Sequence, residues 1–323
     1  MRVGVIGVGG HAAASLYPNL GAAGLELVAT CARRLERAEA AAAKWGAPHA
    51  FDDACQMLSS VEIDGVIICV DPASYGPLVS LCLEASKPVF CEKPAAASSD
   101  EAAELAELSA RTEVPVVVGY MKRFAPAYQR AREIVLSEDF GPQTLGTFTF
   151  AMGQGWDADL RTYLMENPVH HLDLARYFLG ELSDLQAQVA ELPGFGHAVA
   201  ATAKSSSGAV CTFNLCNTAS WQQRNEHIEV YGKGHAVWVD NVDTCTYRPT
   251  ESPEQTWRPN YTVPQPQNFS STIMGFVPEL EHFRAVATER VENLSDMASA
   301  GQTLALAEQL CEITAPAGQL RAR

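Results

Sequence analysis

The sequence predicts an α/β protein in two parts: a doubly wound parallel sheet over residues 1–122, then a second α/β domain over 123–323 built on a large, mainly antiparallel sheet. Three observations carry this reading. Up to Gly119, short apolar runs rich in Val and Ile alternate with Ala-rich stretches of helical spacing, the pattern of a parallel sheet covered on both faces. From Thr147 onward the strand-like runs alternate apolar with polar residues, which packs one sheet face and leaves the other free. A chain of 323 residues also favours two domains over one, at about 100–200 residues each.

In the first part, residues 3–6 read as a strand, 10–22 as a helix, 25–31 as a second strand and 34–45 as a helix, with Ala38, Ala42 and Trp45 at helical spacing. Further strands at 66–70, 89–91 and 114–119 are separated by helices at 76–85 and 99–111. A helix at 126–136 then precedes six alternating strands at 147–152, 185–191, 199–204, 210–216, 228–231 and 236–240. Ser207-Gly208 and Gly232-Lys233-Gly234 suit hairpin connections. Residues 248–272, with Pro249, Pro253, Pro259, Pro264 and Pro266, read as a long loop, and helices at 278–290 and 299–313 close the chain.

Composition narrows the function. Apolar residues make up 47% and charged residues 19%, enough for a full core and unlike a disordered chain. Twenty-three Lys and Arg against 38 Asp and Glu leave a net charge of −15. Such a surface repels phosphate backbones and anionic lipid, which speaks against nucleic-acid and membrane partners. No apolar run approaches the ~18 residues of a membrane span, and residues 1–9 read as a strand ending in glycines, not as a signal peptide. The nine cysteines are scattered without a Cys-x-x-Cys pair, so neither a disulfide framework nor a zinc site is expected, and the setting is expected to be cytoplasmic.

Four motifs carry chemistry. Gly7, Gly9 and Ala12 fit G-x-G-x-x-A between the first strand and the first helix. The first small residue makes the tight turn, the second lets backbone approach a pyrophosphate, and the third allows close helix–strand packing. Gly10 and His11 complete that turn, His11 as a neighbour of the phosphates. At the end of the second strand an acidic residue would bind the ribose hydroxyls of NAD. Here the run is Ala32-Arg33-Arg34, with no carboxylate before Glu36, and guanidiniums suit a 2′-phosphate. NADP is therefore the favoured cofactor and NAD the alternative. Glu92-Lys93-Pro94 follows the fifth strand, which places Lys93 in the crevice where open α/β sheets bind ligands.

The fourth motif is the run from Glu166 to Asp173. Asn167 suits an N-cap and Pro168 the first helical position. His170, Asp173 and Tyr177 then share a face. A histidine in the first turn feels the positive helix end, which favours the neutral ring that a general base requires. His171, about 100° around the helix, is the packing residue, and adjacent histidines pointing apart make a poor metal site.

Together the G-x-G-x-x-A start, Glu92-Lys93-Pro94 and the run Val169-His170-His171-Leu172-Asp173 resemble the Gfo/Idh/MocA family of sugar and cyclitol oxidoreductases. Further similar stretches are Gly119 to Phe124, Glu229 to Gly234 and Phe276 to Phe283. The resemblance implies a Rossmann domain followed by an α/β domain whose open sheet supports oligomer contacts. It implies that Lys93 contacts substrate and nicotinamide, that the Lys93-Pro94 bond is cis, and that His170 is the acid/base on the reacting hydroxyl. Glu166 stands where the family commonly has an aspartate, and Asp71, followed by Pro72, where it commonly has a threonine beside the cofactor.

The function read from the sequence is thus an NADP-dependent oxidoreductase acting on a secondary alcohol or ketone of a sugar, cyclitol or sugar-derived metabolite. The alternatives are an NAD-dependent inositol-type dehydrogenase, or a non-catalytic dinucleotide-binding regulator on the same fold. Lys93, His170 and Glu166 are the catalytic candidates. Gly7, Gly9, Gly10, His11, Ala12, Ala32, Arg33, Arg34, Asp71, Pro72, Glu92 and Lys93 are the cofactor candidates. Lys122, Arg123, Asp173 and Tyr177 join Lys93 and His170 around the substrate, with Trp156 and Tyr163 as stacking walls. A homodimer or homotetramer is expected through a free sheet face that includes Phe213, Val230, Val237 and Val239.

Overall fold

The computed structural model describes residues 1–153, 159–220, 222 and 224–315; Trp156 lies outside them. The chain forms two compact units, one of Met1–Met121 with Gly275–Gln302, the other of Lys122–Met274 with the segment from Thr303.

The first unit holds β1 (Arg2–Ile6), β2 (Glu26–Cys31), α1 (Leu35–Trp45), β3 (His49–Phe51), α2 (Ala54–Ser60), β4 (Gly65–Ile68), α3 (Tyr75–Glu84), β5 (Val89–Glu92), α4 (Ser99–Thr112) and β6 (Val116–Gly119). All six strands run parallel in the order β3-β2-β1-β4-β5-β6. This is the Rossmann arrangement, and its strand order reverses between β1 and β4. Strand β3 and helix α2 add to the elements read from the sequence, because three residues of strand and a seven-residue helix carry too little periodicity to register. The helix expected at 10–22 is broken: Ala12–Leu16 forms a π turn and Tyr17–Asn19 a 3-10 turn. Pro18 has no N–H to continue an α ladder.

The second unit holds α5 (Pro126–Val135), β7 (Gln143–Ala151), α6 (Leu160–Glu166), α7 (Val169–Leu179), β8 (Leu182–Leu192), β9 (Gly196–Ser205), β10 (Val210–Cys216), β11 (Asn225–Gly232), β12 (His235–Asp240), β13 (Thr244–Arg248), β14 (Gln255–Trp257) and α8 (Ser270–Ile273). Its eight strands run β14-β13-β12-β11-β7-β10-β9-β8, antiparallel except for the β7–β10 pair. Side chains alternate about this sheet. Phe148, Phe150, Phe213, Ile228, Val230, Val237 and Val239 are buried, and α7 packs so closely that a Cβ on Gly146 would come within 2.6 Å of Leu179. The expectation that Phe213, Val230, Val237 and Val239 form the free face is corrected here: they belong to the buried face. The opposite face carries Thr147, Thr149, Thr202, Thr212, Gln186, Gln188 and Lys204, none of them buried.

Helices α9 (Phe276–Glu289) and α10 (Met297–Thr314) follow. Residues 275–302 belong to the first unit, whereas the division read from the sequence gives the whole second half to one domain. The cause is hydrophobic. Leu280, Phe283 and Val286 of α9 enter the same core as Val3, Val5, Ile67, Phe90 and Val117.

Candidate functional site

In the first unit the chain leaves β1 at Gly7, at the strand-order reversal where open α/β sheets bind ligands. Gly7 has φ of +110°, and a Cβ there would lie 1.9 Å from the Cys69 carbonyl oxygen. Only glycine fits. Its N–H donates to the Cys31 carbonyl at 2.9 Å, and the Tyr17 hydroxyl donates to its own carbonyl at 3.1 Å. At Gly9 and Gly10, by contrast, an added Cβ would meet nothing within 4 Å. Both residues present bare backbone to a cleft of about 810 Å³, lined also by His11, Ala32, Arg33, Arg34 and Asp71. Ala12 is fully buried beneath this turn.

The cleft suits a dinucleotide. Its volume falls in the usual range for ligand sites, and the bare turn offers N–H groups to a diphosphate. At the far end Arg33 and Arg34 follow β2 directly, with Ala32 held by its N–H to the Phe51 carbonyl at 3.1 Å. Arg33 is 89% exposed and lies 3.7 Å from Asp71, itself 77% exposed; Arg34 lies 3.5 Å from Glu36. Asp71 caps the short turn Pro72–Ser74. Arg37 and Asp52 also line the cleft. The sequence reading did not single them out, although Arg37 follows Arg33 and Arg34 at helical spacing, whereas Asp52 follows the unread strand β3.

Strand β5 delivers Glu92 and Lys93 to the same edge of the sheet. Glu92 is buried, with one carboxylate oxygen 3.0 Å from His11 Nε2 and the other accepting the Lys93 backbone N–H at 3.2 Å. The Lys93-Pro94 peptide is cis. Burial and the charge of Glu92 push the nearby Cys69 thiol up to about 12, so it stays protonated at neutral pH.

The second unit places His170 in the first turn of α7, partly buried. The helix begins one residue later than expected. Asn167 is the C-cap of α6 and Pro168 the N-cap of α7, its carbonyl accepting the His171 N–H at 2.7 Å. Glu166 is the last residue of α6. His171 is completely buried with its ring 5.0 Å from Phe150, neither ring nitrogen meeting a partner, and burial holds its pKa well below the ordinary value.

The cations and carboxylate expected around the substrate are tied to each other. Lys122 is paired with Glu226, and Arg123 donates to both oxygens of Asp173, at 2.7 Å for Nε. All four are buried. Thr303 donates to Asp173 at 3.0 Å and accepts from Arg176, which also grips Glu181 at 3.0 Å. Tyr177 lies between guanidiniums, with Arg132 4.2 Å and Arg123 5.4 Å from its ring centre. The stacking role expected of Tyr163 is corrected: its ring is wholly buried and its hydroxyl donates to the Phe150 carbonyl at 3.3 Å. Glu226, some hundred residues from its partner, gave no sign of this role in the sequence.

Fold and cleft together define a dinucleotide-binding oxidoreductase architecture, and comparison with known proteins says which. An oxidoreductase family model with an NAD-binding Rossmann fold matches residues 1–120, and the GFO/IDH/MocA C-terminal domain model matches residues 128–237. The chain belongs to the Gfo/Idh/MocA family. Among curated relatives, a 4-carboxy-2-hydroxymuconate-6-semialdehyde dehydrogenase from a Sphingobium strain is 27% identical over 75% of this chain and 85% of its own length. An inositol 2-dehydrogenase from Rubrobacter xylanophilus is 31% identical over 55% of this chain and 51% of its own. Among solved structures, a dehydrogenase from Chromobacterium violaceum superposes with a TM-score of 0.88 at 24% identity, covering 99% of this chain and 97% of that one. An oxidoreductase from Agrobacterium radiobacter, solved with NAD+, L-tartaric acid and magnesium, reaches 0.82 at 18% identity, covering 97% and 96%. Among the described residues, no helix is long and apolar enough to cross a membrane.

Proposed function

We propose that this protein is an NADP-preferring oxidoreductase, working in the cytoplasm on a secondary alcohol or ketone of a sugar, cyclitol or sugar-derived metabolite. The observation that carries the reading is the cleft at the strand-order reversal, with bare backbone at Gly9 and Gly10 and two guanidiniums where an NAD enzyme would place a carboxylate. Gly7, Gly9, Gly10, His11 and Ala12 hold the diphosphate, and Arg33 and Arg34 face the 2′-phosphate. Asp71 and Pro72 border the adenosine end. The bound nicotinamide supplies hydride transfer.

The chain supplies placement and proton transfer. Lys93 orients the substrate oxygen and stabilises its developing charge through a charge-assisted hydrogen bond. His170 takes or gives the hydroxyl proton, with Glu166, at the end of α6, as the third catalytic candidate. Arg123 and Asp173, being buried and paired, act on the substrate by fixing α7, and Lys122, buried and paired with Glu226, by fixing β11. The relatives named for semialdehyde and inositol oxidation support a small polar substrate. The polar, threonine-bearing face of the second sheet is where a second copy would pack, giving a homodimer or homotetramer.

NAD as the cofactor is a second reading with its own observation, since Asp71 stands close enough to Arg33 to offset its charge. Calorimetric titration with NADPH and NADH decides between them. Equal or tighter NADH binding would sink the NADP preference. A screen of sugars, cyclitols and their ketones with both cofactors, followed by nicotinamide absorbance, tests the substrate class; activity confined to non-polyol aldehydes would overturn it.

A further inference from the structure

Helix α9 sets Phe276, Glu279 and Phe283 on one face, at i, i+3 and i+7. The two rings fix where that face points. Phe283 lies 6.0 Å from Phe90 on β5, and Phe276 lies 6.1 Å from the His11 ring. Glu92 stands two residues beyond Phe90, on the same face of the sheet, and its Oε1 is the atom 3.0 Å from His11 Nε2. Glu279, between the two rings, is thereby set over Glu92. It is completely buried, and no donor among the described residues reaches either of its oxygens. A buried carboxylate without donors is costly. A neutral acid needs an acceptor instead, and Glu92 Oε1 has no aligned hydrogen bond of its own.

We propose that Glu279 is a positioning residue for the candidate active site: a neutral carboxylic acid that donates its proton to Glu92 and so fixes that carboxylate between the His11 ring and the Lys93 backbone. A carboxyl buried beside a carboxylate favours its neutral form. Burial, reinforced by the charge of Glu92, holds the Glu279 carboxyl well above the usual carboxylate range. Glu92 in turn accepts the Lys93 N–H, so restraining Glu92 restrains the segment from which the Lys93 side chain extends, and it ties that segment to the turn lining the dinucleotide cleft.

The other titratable groups facing Glu92 leave the pair to govern the acid range. Cys69 just after β4, Cys91 on β5 and Tyr75 on α3 all keep their protons at neutral pH, each pushed up by burial with Glu92 adding to it. The His11 ring is the other titratable group in contact with Glu92, and Lys93 meets it through its backbone N–H. On α9 itself, His282 accepts the Leu294 N–H and burial holds it below its ordinary pKa.

The role given to Lys93 rests on the proposed function, so the test uses readouts that do not depend on knowing the substrate. Infrared spectra of the full-length protein at neutral pH should show a carboxylic-acid carbonyl band that disappears in Glu279→Gln. Absence of that band from the unmutated protein overturns the proposal. The pH dependence of dinucleotide affinity, measured with NADP+ and NAD+, provides the second arm. Glu279→Gln keeps a neutral donor and should keep the original acid limb. Glu279→Leu removes that donor and should move the acid limb up by ~1 pH unit. An unmoved limb in the Leu variant, or an equal shift in the Gln variant, sinks the idea. If polyols prove not to be substrates while both arms succeed, only the substrate assignment fails.

Discussion

The two units handle charge in opposite ways. Around the dinucleotide cleft of the first unit, Arg33 and Asp71 are almost fully in water, and their separation of 3.7 Å is a loose surface contact. Around α7 in the second unit, Lys122, Arg123, Asp173 and Glu226 are all buried in close pairs. An exposed pair contributes little to stability and can exchange its partner for a ligand at small cost. Breaking a buried pair strands an unsolvated charge, so such a pair holds a shape and does not trade partners. Charge at the rim of the cleft is available for recognition, and charge around α7 is committed to architecture.

The largest effect expected from this contrast is at His170, a partly buried titratable side chain of α7. His170→Ala should lower kcat by roughly 10²–10⁴-fold while leaving dinucleotide affinity intact. An active but merely less stable variant would mean that His170 packs. Asp173→Leu tests the committed charge. Removing one partner leaves Arg123 and Thr303 facing an apolar side chain and should destabilise the fold by ~3–5 kcal/mol, read from denaturant unfolding. A loss no larger than that of a surface pair would show that water reaches the site. Arg33→Ala tests the available charge: NADPH binding should weaken by ~1.5–3 kcal/mol, with NADH binding and unfolding midpoint nearly unchanged.

The smallest effect is a slope. Burial depresses the folded-state pKa of His171, so below about 6.5 the unfolded chain takes a proton that the folded one refuses. Stability is full above that pH and falls as pH drops below it, by about 1.4 kcal/mol per pH unit for the one group. His282, shifted the same way, adds to the trend. His171→Phe should flatten the slope measured from pH 7 to 5, and an unchanged slope would show that His171 titrates freely.

The sequence disclosed the first unit's site more fully than the second's, for a physical reason. The Gly7–Ala12 turn and the Ala32-Arg33-Arg34 edge work through contiguous backbone and neighbouring side chains, so residue order alone reveals them. The α7 surroundings join Arg123, Asp173, Glu226 and Thr303, brought together only by folding. Sequence could place Asp173 and Tyr177 on one helix face with His170. It could not show that Arg123 had already claimed the carboxylate. The same limit explains α9: its apolar spacing reads as a helix, but which sheet receives Phe283 depends on long-range packing with Val3, Ile67 and Phe90.

The collision between Gly7 and the Cys69 carbonyl has a consequence for how such a protein can change over time. Position 7 is closed to every other amino acid, since even alanine would meet backbone at 1.9 Å, and backbone cannot yield as a side-chain tip can. Positions 33 and 71 are open, since both side chains stand in solvent at the rim. On the proposed reading, editing the rim at Arg33 and Asp71 exchanges one redox carrier for another while the turn at Gly7 stays fixed.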